Sequence, residues 1–169
     1  MSKPALRKAL RDIDKEGIVE LLCELYDARP QAREYLDFWA KPDLEKLDEK
    51  YRSAIRKIFF IGGERPRKNP SLTDIRSAIK FFSTLCCEPE KTASLMLYAA
   101  DSYREWLSTR RHILSHRARA DALLAETRAY IESHALEEFL SLPLERIEKG
   151  IEEVFRRGDP PRRRWGWGW

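Results

Sequence analysis

The 169-residue sequence lacks the common signatures of phosphate-binding and hydrolytic enzymes. Glycine is scarce, and the single adjacent pair, Gly62-Gly63, runs into Glu64, which fits neither GxxxxGK[ST] nor GxGxxG. Parallel-strand patterning is missing as well, so P-loop and Rossmann readings have no structural frame. HExxH and GxSxG are absent, which removes the usual zinc-protease and serine-hydrolase readings. Cysteine is limited to Cys23, Cys86 and Cys87, an odd number without CxxC, and this excludes a disulfide framework. These three read as small apolar side chains of a reducing compartment, and the adjacent Cys86-Cys87 pair has poor spacing for a bridge.

Long apolar runs are also wanting. The longest, Ile58–Ile61 and Leu95–Ala100, fall far short of the ~20 residues a spanning helix needs. Lys3, Pro4 and Arg7 stand where a secretory leader would be apolar. The expectation is a soluble, cytoplasmic protein. No Asn-Gly or Asp-Gly hairpin and no sustained alternation occurs, so strands are not expected.

What the sequence does have is charge and helical period. Residues 1–61 carry 13 basic and 12 acidic groups and residues 73–159 carry 13 and 15, whereas residues 62–72 carry 3 and 1 and the last ten carry 3 and none. The net +4 therefore belongs to a loop and a tail, and the balanced helical stretches argue against a dedicated nucleic-acid domain.

Pro4 suits a first helical turn over residues 3–11, and Asp14 caps a helix with the stripe Ile18, Leu21, Leu22 and Leu25. Pro30 stops that helix near Ala28 and opens a third with Tyr35, Leu36 and Trp39; Pro42 opens a fourth through Leu47, Tyr51, Ile55 and Phe59. Ser71 or Thr73 caps the next, whose buried face is Ile75, Ile79, Phe82 and Leu85. From Pro89 to about Thr109 the pattern is apolar nearly all round, which marks the centre of the fold. Further helices are expected over about 117–132 and 135–142, with a last one opened by Pro143. The reading is all-α: residues 1–159 as one compact domain of eight or nine antiparallel or irregularly packed helices, with an exposed basic loop at 61–71, and residues 160–169 as a basic, Trp/Gly-rich tail.

Three groups of residues invite chemistry. His112 and His116, four apart, could share a metal on one helix face, with Asp101, Glu105 or Asp121 in reach. Arg65, Arg67 and Lys68 in the loop, with Arg110 and Arg111 beside Arg104, Arg117 and Arg119, could hold phosphate or carboxylate. In the tail, Arg162, Arg163 and Arg164 precede Trp165, Trp167 and Trp169, a combination suited to a partner groove, single-stranded nucleic acid or an anionic membrane surface. Carboxylate pairs such as Glu34 with Asp37 and Glu148 with Glu152 read as solvated helix faces.

The opening Ser2-Lys3-Pro4-Ala5-Leu6-Arg7-Lys8-Ala9-Leu10, the segment Val19-Glu20-Leu21-Leu22-Cys23-Glu24-Leu25-Tyr26 and the stretch Ala32-Arg33-Glu34-Tyr35-Leu36-Asp37-Phe38 give the chain a family likeness. With Pro42, Leu95-Met96-Leu97-Tyr98 and the ending Trp165-Gly166-Trp167, it resembles DUF6155, a small bacterial family of uncharacterised helical proteins. The resemblance implies an intracellular all-α domain and transfers no catalytic residue. The sequence thus favours a non-enzymatic interaction or scaffold protein that binds a protein partner or itself, with no catalytic residue, cofactor or metal assigned. Its alternatives are a nucleic-acid-associated protein using the basic loop and tail, and a metal-dependent helical enzyme.

Overall fold

The computed structural model describes residues 2–110 and 113–158. Among them it has eight α-helices, one 3-10 turn and one two-stranded ribbon, so the all-α expectation holds. The chain divides into two compact units, Met1–Asp43 and Leu44–Trp169.

In the first unit, α1 (Lys3–Arg11) starts behind Ser2, whose hydroxyl accepts from the Ala5 N–H at 3.4 Å. Helix α2 (Lys15–Ala28) is capped as its sequence demands, with Asp14 Oδ1 accepting from the Gly17 N–H at 2.9 Å. Arg29 is extended because the ring of Pro30 disfavours helical dihedrals before it, and Pro30 then begins α3 (Pro30–Ala40). The α2–α3 hairpin is clasped by polar groups. The Tyr26 hydroxyl donates to Asp37 Oδ1 at 2.9 Å, while the Arg33 guanidinium lies 4.8 Å from the Tyr26 ring centre and its Nε–H donates to the Tyr26 carbonyl.

The second unit has a continuous core. Helix α4 (Leu44–Phe59) starts two residues past Pro42 and buries Leu47, Tyr51, Ile55 and Phe59. Strands β1 (Phe60–Ile61) and β2 (Arg65–Pro66) pair antiparallel, Ile61 opposite Arg65. Ser71 caps α5 (Leu72–Leu85) by accepting from the Asp74 N–H, and its buried face is the expected Ile75, Ile79, Phe82 and Leu85. Helix α6 (Pro89–Ser108) packs against α4, α5, α7 and α8, which explains why its apolar residues run round the helix. A 3-10 turn (Ile113–His116) leads into α7 (Arg117–Ser133), followed by α8 (Glu137–Arg157).

Two expectations need correction. The segment 61–71 contains a strand pair, because Gly62 and Gly63 both adopt positive φ, at 63° and 85°, and reverse the chain within three residues. The helix expected over 135–142 starts at Glu137 and runs on through Pro143 as one helix, α8. Pro143 lies inside α8 on its exposed side, next to exposed Leu142, so the Phe139 carbonyl it leaves without an amide partner is at the solvent face.

Candidate functional site

The structure brings part of the expected basic cluster together and uses it for architecture. Trp106 on α6 is fully buried and its Nε1–H donates to the Arg67 carbonyl at 2.8 Å. Arg110 stacks 5.1 Å from the Trp106 ring centre and donates from Nη2 to the Pro66 carbonyl at 2.8 Å. Arg67 in turn donates from Nε to the Lys57 carbonyl at 2.7 Å. Thus Arg67 and Arg110 fasten the ribbon to α4 and α6, while Arg65 and Lys68 remain exposed on it. Arg56 completes the attachment: it grips both carboxylate oxygens of Glu105, donates to the Gly63 carbonyl at 3.2 Å, and lies 3.9 Å from the Phe60 ring centre. That guanidinium holds the Glu105 carboxyl below the usual carboxylate range.

The remaining arginines of the expected cluster do not converge. Arg104 pairs with Asp101 at 2.7 Å, and Arg117 pairs with Asp121 at 3.1 Å and with Glu152. Each carboxylate proposed as an extra metal ligand, Asp101, Glu105 and Asp121, therefore already has a guanidinium partner. Glu148 on α8 pairs with Arg128 on α7, tying the two helices together. His116 stands edge-on to Trp106 with ring centres 4.8 Å apart, and burial together with Arg119 and Arg110 pushes its imidazole below the usual histidine range. Those cations oppose a metal ion at this ring. Among the described residues no group of three or more His, Cys, Asp or Glu side chains has metal-binding geometry. His112, Arg111, Arg162, Arg163, Arg164, Trp165, Trp167 and Trp169 lie outside the described residues.

Sequence reasoning missed a different feature. The sequence shows an apolar stripe on α2, yet α1, α2 and α3 contain no buried residue. Leu21, Leu22 and Leu25 are exposed, together with Val19, Tyr35 and Trp39, the last at 74%. Helical period reports which side of a helix is apolar and is silent on what covers it. The aromatic residues split along the same line, for Tyr103 and Trp106 are fully buried whereas Tyr35 and Trp39 are not. Elsewhere, a cleft of about 680 Å³ between α6 and α8 is lined by both signs of charge, including Asp101, Arg104, Arg146 and Glu153, and has no single chemical character.

No helix among the described residues is long and apolar enough to cross a membrane. The model of a family of unknown function, DUF6155, matches residues 1–149, which takes in α1 through most of α8 and stops short of the basic, Trp/Gly-rich ending. No match is found among curated proteins or among solved structures. By a match over most of its length, the chain belongs to DUF6155, a family of unknown function.

Proposed function

We propose that the protein is a non-enzymatic helical interaction module whose N-terminal unit offers an apolar face to a protein partner, and that the partner is a second copy of the chain. The observation that carries this reading is the exposure of Leu21, Leu22, Leu25, Tyr35 and Trp39 in a unit whose three helices contain no fully buried residue. A unit of this size can hide too little surface to be stable alone, and several large apolar side chains left exposed on it support an interaction surface. The second unit, with Trp106, Tyr103, Phe59 and Ile55 wholly buried, has the core that the first lacks.

Charge supports self-association. Helix α1 carries Lys3, Arg7, Lys8 and Arg11 and no carboxylate, whereas α2 carries Glu16, Glu20, Glu24 and Asp27 against the single Lys15. In a two-fold arrangement the basic α1 of one copy and the acidic α2 of the other attract, which favours the encounter of two copies. The nucleic-acid alternative keeps Arg65 and Lys68 but has less support, since Arg67 and Arg110 are engaged with backbone carbonyls.

Size-exclusion chromatography with light scattering tests the reading on the full chain. The expected result is a dimer at low and high salt, and Leu22→Glu with Trp39→Glu weakens it by at least about 100-fold, the usual effect of placing charge in an interface centre. A monomer at every concentration, or a dimer indifferent to the double substitution, overturns the proposal.

A further inference from the structure

Arginine on this protein is mostly matched by carboxylate, as Arg52, Arg56, Arg76, Arg104, Arg117 and Arg128 show. Helix α1 departs from this pattern. Its Lys3, Arg7, Lys8 and Arg11 are all exposed, the helix has no acidic residue, and none of the four has a carboxylate partner among the described residues.

Helical period sorts these side chains from their neighbours. At about 100° per residue the four cations and Pro4 fall within an arc of about 140°, and Ala5, Leu6, Ala9 and Leu10 occupy the other side. Lys3, Arg7 and Arg11 follow one another at ~6 Å along the axis, a continuous row of positive charge. No other helix among the described residues separates charged from apolar side chains as sharply. The apolar side is not consumed by packing: Leu6 is 44% exposed and Leu10 half-buried. Helices α2 and α3 pack on each other, whereas α1 is held to them only loosely.

Composition selects the kind of partner. Helix α1 contains only Lys, Arg, Ala, Leu and Pro, so it has no hydroxyl or amide to read a base edge and no aromatic ring to stack on one. A cationic face flanked by an exposed leucine suits a bilayer surface, where the cations lie among the phosphates and the leucine enters the acyl boundary. Residues 1–43 carry eight basic and nine acidic groups, so attraction to an anionic surface comes from this face and not from net charge.

We propose that α1 docks the protein on an anionic lipid surface, lying in the plane of the bilayer with Lys3, Arg7, Lys8 and Arg11 among the headgroups and Leu6 at the acyl boundary. The inference stands apart from the pairing of copies, whose exposed apolar side chains are on α2 and α3. Light scattering reads that pairing and vesicles read this contact, so either can fail alone.

The test is cosedimentation of the full chain with phosphatidylcholine vesicles made with and without phosphatidylserine. Binding is expected only where phosphatidylserine is present, and it should fall as salt rises. At about fivefold per cation, changing Lys3, Arg7, Lys8 and Arg11 together to Gln should weaken it by at least about 100-fold. All four are exposed on a helix without a buried residue, so this variant keeps the packed core. Leu6→Ala, which leaves the charge intact, should weaken binding about tenfold. No binding at low salt, or equal binding to both kinds of vesicle, overturns the proposal. Binding that survives the four substitutions also overturns it and assigns the contact to Arg162, Arg163 and Arg164 with their tryptophans. A tighter hold on an oligouridylate than on the vesicles, lost in the same variant, overturns it in favour of nucleic acid.

Discussion

The indole of Trp106 and the carbonyl of Arg67, 39 positions apart in sequence, are joined by a 2.8 Å hydrogen bond that ties the ribbon to the central helix. The ribbon has two residues per strand, too few to hold itself, so its position depends on such bonds to α4 and α6. Trp106→Phe keeps an aromatic ring in the core but removes the donor and leaves the Arg67 carbonyl without its partner. Together with the volume lost from a fully buried site, this should destabilise the protein by about 2–4 kcal/mol, read from the urea midpoint. Amide exchange in the ribbon should accelerate more than in α5, because the ribbon loses its fastening and α5 keeps its core contacts.

Acid should weaken the fold through His116. Its folded-state midpoint lies below the ordinary 6.5, so between the two values the unfolded chain binds a proton that the folded chain does not. The stabilising contribution is therefore complete above about 6.5 and is lost as pH falls through the lower, folded midpoint. Urea midpoints measured over this range in chloride should fall more steeply for the wild type than for His116→Gln. At the alkaline end the sign reverses: Tyr103 keeps its proton to about 12, so stability should drop once pH passes 10, and Tyr103→Phe should reduce that drop.

Much of this architecture was legible because its causes are local. Ser71 and Asp14 accept from amides three residues ahead, and Pro30 restricts only its neighbour, so caps and breaks could be placed from sequence. The position of α6 was legible for another reason, since a helix apolar on all sides must be enclosed. The ribbon was not, because alternation cannot register in strands of two residues; its one cue was Gly62-Gly63, a pair able to take positive φ twice. Around Trp106, Arg110 and His116 stood out in the sequence, while the packing of both and of Tyr103 on that indole depends on tertiary contacts. The bare faces of α1–α3 were hidden by the same logic that found their stripes.

The corner between α7 and α8 contains a residue that its backbone does not suit. The Leu136 N–H donates to the Ile131 carbonyl at 3.0 Å and the Ala135 N–H to that of Glu132 at 3.2 Å, the paired bonds of a Schellman ending. Ala135, between the His134 cap and Leu136, has φ of 53°, in the region where glycine is at ease and a Cβ is strained. Ala135→Gly should therefore raise stability by about 0.5–1 kcal/mol despite the greater freedom glycine gives the unfolded chain. A lower thermal midpoint would show that the unfolded-state term outweighs the strain.

Pro143 offers a second route to a more stable chain. It interrupts the hydrogen-bond ladder of α8 at a place where the sequence alone implied a new helix, yet Leu144 and Ile147 just beyond it are buried in register with Ile151 and Phe155. Burial of that face thus overrides the break. Pro143 itself is exposed, so Pro143→Ala neither opens a cavity nor alters the packed face; it restores the amide that can donate to the Phe139 carbonyl. The ring also restricts the unfolded chain, which offsets part of the gain. The net expectation is a rise of about 1–2 kcal/mol by urea unfolding, with slower amide exchange confined to the first two turns of α8. Should exchange slow equally along the whole helix, the proline would be acting on global stability and the local ladder would have been continuous without it.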